Sequence, residues 1–382
     1  MSRVNWLRHL LGTYIVGALA IGRFYDSRLM VGTLNVAFVV MLFYLLIMFV
    51  LVSRDSFKLK SSILGVINIV MILLMYQTAL FLFFGVYRTQ FYTFHKVLNF
   101  VSLAILPGII FSTSIGYKLF VRGLKGFTSI FFLIGLIYIL LGKTGDRLAV
   151  LGGGPIVFAR WISVFVLLVL TNKSGKIYKL IYSSLGIFMI IAAGSKGPFV
   201  AFIIAGSFLI WRKIQIRGKI ILVSALVSCL ILASSAGLLS NSRVTNGLDN
   251  PQNLTSVLSR LEKLEVAKQL IVKYPLGIGF GNYPRFGVDL NESFILEVDY
   301  PHNIFAEIAV EAGLPWLIVF LISLLIAWQS REKNKDNGFI EALFLLFLIN
   351  TQFSGDLSNS KFLIITMLIL IFGGREKKTN LV

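Results

Sequence analysis

The residues best suited to chemistry in this sequence surround His302, where a polar segment gives way to a long apolar one. Pro301 precedes the histidine and Asn303 follows it. Proline is favoured at the first position of a helix, so we expect a helix to begin here. A helix start presents free backbone N–H groups and the positive end of the helix dipole, which suits a phosphate-bearing ligand.

Two carboxylates lie further along the same predicted helix. Glu307 and Glu311 are four residues apart, which places them on one helix face, and both fall in an apolar stretch. A carboxylate within a membrane is costly and usually lines a cavity or a polar pathway. We therefore expect both glutamates to be structural partners of buried arginines rather than acid catalysts.

The sequence does not support metal or nucleic-acid chemistry. Its one cysteine, Cys229, falls in an apolar run, and its three histidines are far apart, so no metal-ligand spacing occurs. We predict that the protein needs no metal and no cofactor. The net charge of +19 is spread over many short segments instead of forming one basic stripe, which argues against a nucleic-acid partner.

These residues need a scaffold, and the composition indicates a membrane-embedded one. The chain has 57% hydrophobic and 14% charged residues and a mean hydropathy of +0.85, whereas soluble domains have roughly 25% charged residues. Several apolar runs reach the ~20 residues that a membrane-crossing helix needs. A lipid-exposed backbone must satisfy its own hydrogen bonds, and no alternating barrel strands are visible. We therefore predict an all-α, polytopic membrane helix bundle.

The apolar runs predict about twelve transmembrane helices, or about eleven if one of the shorter runs does not cross. The predicted spans are residues 10–22, 29–52, 61–84, 97–116, 127–141, 156–171, 180–193, 198–211, 220–239, 303–327, 339–352 and 361–373.

The basic residues predict the orientation of the spans, because Lys and Arg collect in short cytoplasmic loops. With the N-terminus inside, alternate segments carry 21 of the 36 basic residues, and one of these segments holds Lys118, Arg122 and Lys125. The short outer loops carry 9, and the other 6 lie in residues 240–301. Both termini are therefore predicted in the cytoplasm. The chain divides into the first nine spans, a large outer loop and the last three spans, at residues 1–239, 240–301 and 302–382.

The outer loop has a predicted structure of its own. From Leu254 to Tyr274 the apolar residues recur at steps of three and four, the pattern of an amphipathic helix. Pro275 ends this helix, and the glycines within residues 277–281 predict a turn. We expect the helix to lie on the membrane or to cap the bundle.

Two parts of this region resemble the signature of the O-antigen ligase and polymerase family. The first is KYPLGIGFGNY at residues 273–283. The second combines PHNIFAE at residues 301–307 with EAGL at residues 311–314. The resemblance extends over roughly residues 145–325, and it implies a GT-C-like fold.

Two shorter motifs add to the resemblance. AGSKGP at residues 193–198 is similar to the SRG motif of that family, although Lys196 stands where the family usually has arginine. Lysine keeps the charge but lacks the bidentate fork. Arg260, within Ser259-Arg260-Leu261, resembles the arginine that opens the family's outer-loop helix.

The resemblance implies an inverting, metal-independent glycosyltransferase of the bacterial inner membrane, with an undecaprenyl-pyrophosphate-linked oligosaccharide as donor. The acceptor hydroxyl needs a base, and a histidine with an ordinary pKa near ~6.5 is neutral enough at neutral pH. This is the role implied for His302. The neighbouring Asn303 is expected either to orient His302 or to cap the helix. The departing pyrophosphate needs fixed cations, and the candidates are Arg147, Arg160, Lys196, Arg260 and Arg285.

Each assignment has a structural alternative. His302 is otherwise an interfacial residue at a helix start, and Arg260 belongs to the solvated face of an amphipathic helix. Arg147 and Arg160 are otherwise anchors at the membrane interface. Lys196 is otherwise a plain outer-loop lysine.

Three functions are kept open. A polymerase of repeat units for a surface polysaccharide, O-antigen or capsule, is favoured by the substituted SKG motif over a ligase that transfers the glycan to a terminal acceptor. A flippase for lipid-linked oligosaccharides would show two related halves with broken helices at matching places, and no such halves are visible. The lipid bilayer is an implied partner, and a chain-length regulator protein is a further one.

We predict that residues 240–301 face the outside of the cell. Single cysteines introduced there are expected to react with a membrane-impermeant reagent on intact spheroplasts. Labelling only after the membrane is opened would mean that the orientation is inverted and that the site assignment fails with it.

Overall fold

The computed structural model describes most of the chain. The described residues are 3–21, 30–31, 34–35, 43, 46–47, 61–85, 96–142, 147–150, 154–213, 251–290, 300–331, 338–353 and 357–373. The predicted span 220–239, most of the span 29–52 and parts of the outer loop lie outside them.

The described residues are almost entirely helical, which confirms the predicted all-α class there. The helices are α1 Arg3–Ile21, α2 Ser61–Phe84, α3 Lys96–Phe111, α4 Ser114–Leu140, α5 Gly154–Thr171, α6 Lys176–Ala192, α7 Lys196–Lys213, α8 Pro251–Lys273, α9 Tyr283–Val288, α10 Ile304–Glu311, α11 Leu314–Ser330, α12 Phe339–Asn350 and α13 Lys361–Phe372. Residues Val101–Ile105 of α3 form a π-helical turn, and Leu357–Ser360 form a 3-10 turn before α13.

Among the described residues, three helices are long and apolar enough to cross a membrane: Gly65–Phe84, Ser114–Leu140 and Gly154–Thr171. Five further apolar helices are shorter, and they are His9–Ala20, Lys96–Phe111, Leu314–Ser330, Phe339–Asn350 and Lys361–Phe372. The amphipathic helix of the outer loop is present as α8, which ends just before Tyr274 and Pro275.

The predicted start of a helix at residue 29 is wrong. Met30–Val31 and Leu34–Asn35 pair as antiparallel strands β1 and β2, with Met30 opposite Asn35. Gly32 and Thr33 lie between the strands in the sequence. Glycine costs about 1 kcal/mol relative to alanine in a helix interior, so Gly32 was a local signal in the sequence against a helix here.

The predicted loop between the fourth and fifth spans is also wrong. Helix α3 ends at Phe111, and the hydroxyl groups of Ser112 and Thr113 donate to the carbonyls of Ile109 and Ile110. Helix α4 then runs without interruption from Ser114 to Leu140. The basic residues Lys118, Arg122 and Lys125 therefore lie within a helix. A helix with a polar segment was mistaken for a loop because charge alone does not report backbone conformation.

The chain forms two compact units. Unit 1 comprises Met1–Phe127, Lys263–Lys335 and Thr351–Val382, and unit 2 comprises Thr128–Glu262 and Asp336–Asn350. In unit 2, α12 packs against α7 and α5, and α5 packs against α6. In unit 1, α13 packs against α3 and α11, and α10 packs against α11.

Glycines bring α1 and α4 into backbone contact within unit 1. A Cβ atom on Gly123 would lie 2.2 Å from the carbonyl oxygen of Gly12, and a Cβ atom on Gly12 would lie 2.8 Å from the carbonyl oxygen of Leu119. Small residues let helices approach closely in membranes, where packing rather than the hydrophobic effect drives helix association.

Gly123→Ala is expected to lower the melting temperature in detergent, because overpacking of a tight contact costs about 1–3 kcal/mol. Gly65→Ala is the matched control, since a Cβ atom there would meet nothing within 4 Å and alanine favours a helix by about 1 kcal/mol. Equal melting temperatures of the two variants would contradict the close contact between α1 and α4.

Candidate functional site

His302 lies directly before helix α10 in unit 1. Asn303 is the N-cap of this helix, and its Oδ1 accepts hydrogen bonds from the backbone N–H groups of Phe305 at 2.9 Å and Ala306 at 3.1 Å. The helix therefore begins at Ile304, and the prediction that Pro301 is its first residue is wrong. An asparagine cap satisfies the free N–H groups of the first turn, which fixes the start three residues later than the proline signal suggested.

The α10 start is held by the segment that follows α12. The Nδ2 group of Asn303 donates to Oε1 of Gln352 at 3.0 Å. The backbone N–H of Ile304 donates to the carbonyl of Thr351 at 3.2 Å. Both the side chain and the backbone of the capping turn are thus anchored.

The backbone of His302 has a φ of 58°, in the left-handed region. Non-glycine residues rarely adopt this conformation, which costs roughly 1–3 kcal/mol and persists only where the surroundings impose it. The imidazole is half-buried, and its centroid lies 4.1 Å from the ring centroid of Tyr300. Strain of this kind clusters at functional sites.

Glu307 and Glu311 share a partner on helix α3. The Nζ atom of Lys96 lies 2.5 Å from Oε2 of Glu311 and also contacts Oε1 of Glu307. All three side chains are buried, with Lys96 4%, Glu307 1% and Glu311 2% exposed. The expectation of arginine partners is therefore wrong. The partner of both glutamates is Lys96, which lies 215 residues from Glu311 in the sequence.

The two signature segments of the sequence bind each other through backbone atoms. Ile278 N–H donates to the Val310 carbonyl at 3.0 Å, and Gly279 N–H donates to the Glu311 carbonyl at 2.9 Å. Leu314 N–H donates to the Pro275 carbonyl at 2.9 Å. We call residues 275–282 the glycine loop.

This contact divides the predicted span 303–327 into two helices, α10 and α11. The break lies at Gly313, whose φ is 89°. A Cβ atom on Gly313 would lie 2.4 Å from the carbonyl group of Leu276, and one on Gly277 would lie 2.7 Å from the Gly313 nitrogen. Only glycine fits at these two positions, so the prediction of one uninterrupted helix over this run is wrong.

Helix α2 holds the other side of the glycine loop. Oε1 of Gln77, a buried residue in the middle of α2, accepts from Phe280 N–H at 2.8 Å. Asn282 Nδ2 donates to the Gly85 carbonyl at 3.3 Å. Arg285 Nη1 donates to the Phe84 carbonyl at 3.0 Å, where a cation is favoured by the negative end of the helix dipole. The sequence analysis missed Gln77, although an amide in an apolar run was a visible signal.

An apolar cavity borders α10 within unit 1. Ile308 and Ala312 line it, and each follows one of the buried glutamates in the sequence. Phe280 of the glycine loop lines it as well. The rest of the described lining comes mainly from α2, α3, α11 and α13.

In unit 2, Arg147 binds the turn that precedes α7. Its guanidinium donates to the Ala193 carbonyl at 3.3 Å, the Gly194 carbonyl at 3.1 Å and the Ser195 hydroxyl at 3.0 Å. Lys196 follows this turn as the first residue of α7, and its side chain is exposed.

The remaining two candidate cations also lie in unit 2. Arg160 is half-buried in α5, and Arg260 is half-buried in α8. Within the part of the chain that the structure describes, Arg260 has no hydrogen bond or ion pair. Unit 1 therefore contains Arg285, His302, Asn303, Glu307 and Glu311, and unit 2 contains Arg147, Arg160, Lys196 and Arg260.

A protein-family model described as O-antigen ligase matches residues 181–321. The match supports the resemblance to the O-antigen polymerase and ligase family over this part of the chain. The match begins within α6, ends within α11 and contains both signature segments. No curated protein matches the chain.

The matched family consists of glycosyltransferase-like membrane enzymes. The family implies a lipid-linked oligosaccharide as substrate. The matched segment includes Lys196, Arg260 and His302, whereas Lys96 and Arg147 lie outside it.

Arg147→Ala is expected to lower the melting temperature, because hydrogen bonds from charged donors contribute about 1.5–3 kcal/mol and the turn before α7 would lose three of them. Arg122→Ala is the control, since the Arg122 side chain has no hydrogen bond among the described residues. If Arg147→Ala unfolds at the wild-type temperature, Arg147 does not stabilise the turn.

Proposed function

We propose that this protein polymerises polyprenyl-pyrophosphate-linked oligosaccharide repeat units on the outer face of the bacterial cytoplasmic membrane. The observation that carries the proposal is the backbone contact between the two signature segments, which places the strained His302 at the head of a helix anchored at both ends. A site that is held in one geometry suits catalysis by orientation.

In the proposed reaction His302 is the base. The acceptor hydroxyl loses its proton to the imidazole as its oxygen forms a bond to the anomeric carbon of the donor sugar. The bond between that carbon and the pyrophosphate oxygen breaks, and the electron pair leaves with the polyprenyl pyrophosphate. Attack opposite to the leaving group inverts the configuration, and the chemistry requires no metal.

The proposed cations have different roles. Lys196 and Arg260 are assigned to the pyrophosphate, because neither has an intramolecular hydrogen bond or ion pair among the described residues. Arg147 and Arg285 donate to backbone carbonyls, and Arg147 positions the turn before Lys196. Arg160 stays a candidate for the same pyrophosphate. The apolar cavity beside α10 suits the polyprenyl chain of the donor.

A ligase that transfers the glycan to a terminal acceptor is the second candidate, favoured by the description of the matching family model as O-antigen ligase. Donor and bond type are the same in both reactions, so the active-site chemistry proposed here applies to both. A flippase is disfavoured, since the sequence shows no two related halves with broken helices at matching places.

The purified protein, supplied with one lipid-pyrophosphate-linked repeat unit, is expected to form a ladder of longer products. His302→Ala should lower turnover by about 10²–10⁴-fold, the usual contribution of a positioned general base. Donor affinity should stay nearly constant in this variant, whereas Arg260→Ala should weaken it. Turnover of the wild type should also fall as the pH is lowered, because a protonated imidazole cannot accept a proton.

Two measurements test the proposal. Product length on gels distinguishes a polymerase from a ligase, and donor affinity by titration tests the role of His302. Transfer of a single unit to a terminal acceptor without a ladder would favour the ligase. Near-normal turnover of His302→Ala, or a defect in donor affinity alone, would remove His302 from the role of base.

A further inference from the structure

The buried cluster of Lys96, Glu307 and Glu311 has no part in the proposed chemistry. Lys96 lies in helix α3, and its Nζ atom contacts one carboxylate in the first turn of α10 and another in its last turn. Lysine and glutamate are almost never fully buried unless they are paired. We call these three residues the lysine clamp.

The lysine clamp acts on a short helix. Helix α10 has eight residues, and isolated helices shorter than about twelve residues are marginal even in favourable sequences. Its first turn is fixed by Asn303 and its last by the glycine loop. The clamp is the ion-pair contact along the length of the helix, and it faces helix α3.

The helix in turn fixes His302. His302 directly precedes the N-cap residue of α10. The left-handed backbone conformation of His302 persists only if the adjoining structure imposes it. A small rotation or shift of α10 would relax this conformation and would move the imidazole away from the reacting hydroxyl.

We infer that Lys96 is a positioning residue, which binds Glu307 and Glu311 and thereby holds helix α10 and His302 in the reactive arrangement. The inference rests on the proposed role of His302 as base. Lys96 itself touches no substrate in this proposal, so its loss should affect turnover and not donor affinity.

Lys96→Met keeps an unbranched side chain, one atom shorter than that of lysine, and removes the charge. Turnover is expected to fall by about 10²-fold, the effect of a displacement of about 1 Å at a reacting group, while donor affinity changes by less than about threefold. Lys96→Met leaves two carboxylates facing each other, and the variant is at risk of misfolding. The double variant Lys96→Met with Glu311→Gln restores the formal charge of the cluster, and the same loss of turnover is expected in its folded fraction.

Arg212→Met is the control for loss of an ion pair between an exposed arginine and a buried glutamate. Nη1 of Arg212 lies 2.8 Å from Oε1 of Glu341, which is fully buried in unit 2. This variant is expected to have a lower melting temperature and wild-type turnover per folded molecule. If it slows the reaction as much as the double variant, the effect of Lys96 is a general loss of packing and the inference is overturned.

A second measurement reports the position of His302 without any turnover. Modification of histidines by diethyl pyrocarbonate, followed by mass spectrometry, gives separate rates for His302 and for His9 in helix α1. The double variant should raise the rate at His302 at least about threefold, as local opening exposes the imidazole, and leave His9 unchanged. An unchanged rate at His302 would overturn the inference. A wild type that forms no products would defeat the proposed function, and the labelling rates would still decide the role of Lys96.

Discussion

A helix broken in the middle of an apolar stretch exposes backbone groups that cannot be left without hydrogen-bond partners. At Gly313 the glycine loop supplies those partners, with Pro275 accepting from Leu314 N–H, and Val310 and Glu311 accepting from the loop. The two segments of the chain approach so closely that a Cβ atom at Gly277 or Gly313 would lie within 3 Å of backbone atoms. The contact is therefore specific to glycine and independent of the other side chains of the loop.

The remaining geometry of unit 1 follows from this contact. Because the break shortens α10, the helix depends on its cap, on the loop and on Lys96. Because the loop must stay against α10, helix α2 binds it through Gln77, and α8 covers it with Val266, Ala267 and Leu270 in a shared core with Ile278 and Tyr283. The strained backbone of His302 therefore adjoins a helix that is held by its cap, by the glycine loop and by Lys96.

The sequence could predict features that depend on neighbouring residues. Apolar runs long enough to cross a membrane predicted α2, α5 and α13, which begin and end close to the predicted positions. The signature segments also identified His302 and the glycines of residues 277–281 as one region. The hairpin at Met30–Asn35 and the continuous α4 were missed, because apolar content and charge are poor indicators of backbone breaks.

Features that depend on distant residues could not be predicted in the same way. Lys96 has no acidic residue within one helical turn, so nothing nearby in the sequence marks it as the partner of two glutamates. Lys96 lies between two predicted spans, 61–84 and 97–116, where a basic residue is unremarkable. Arg147 was identified as a cation, but the turn that it binds lies 46 residues away, and its structural role required the folded chain.

The arrangement around Lys196 explains how a lysine can stand where arginine is usual. Arg147 already occupies the carbonyls of Ala193 and Gly194, so the turn needs no bidentate donor from its own sequence. Lys196 then begins α7, where the positive end of the helix dipole opposes its charge and destabilises the helix slightly. An anion at this position would remove that penalty, since it is attracted by both the ammonium group and the free N–H groups of the helix. A negatively charged ligand would offset this cost, and this supports the proposal that Lys196 binds the pyrophosphate.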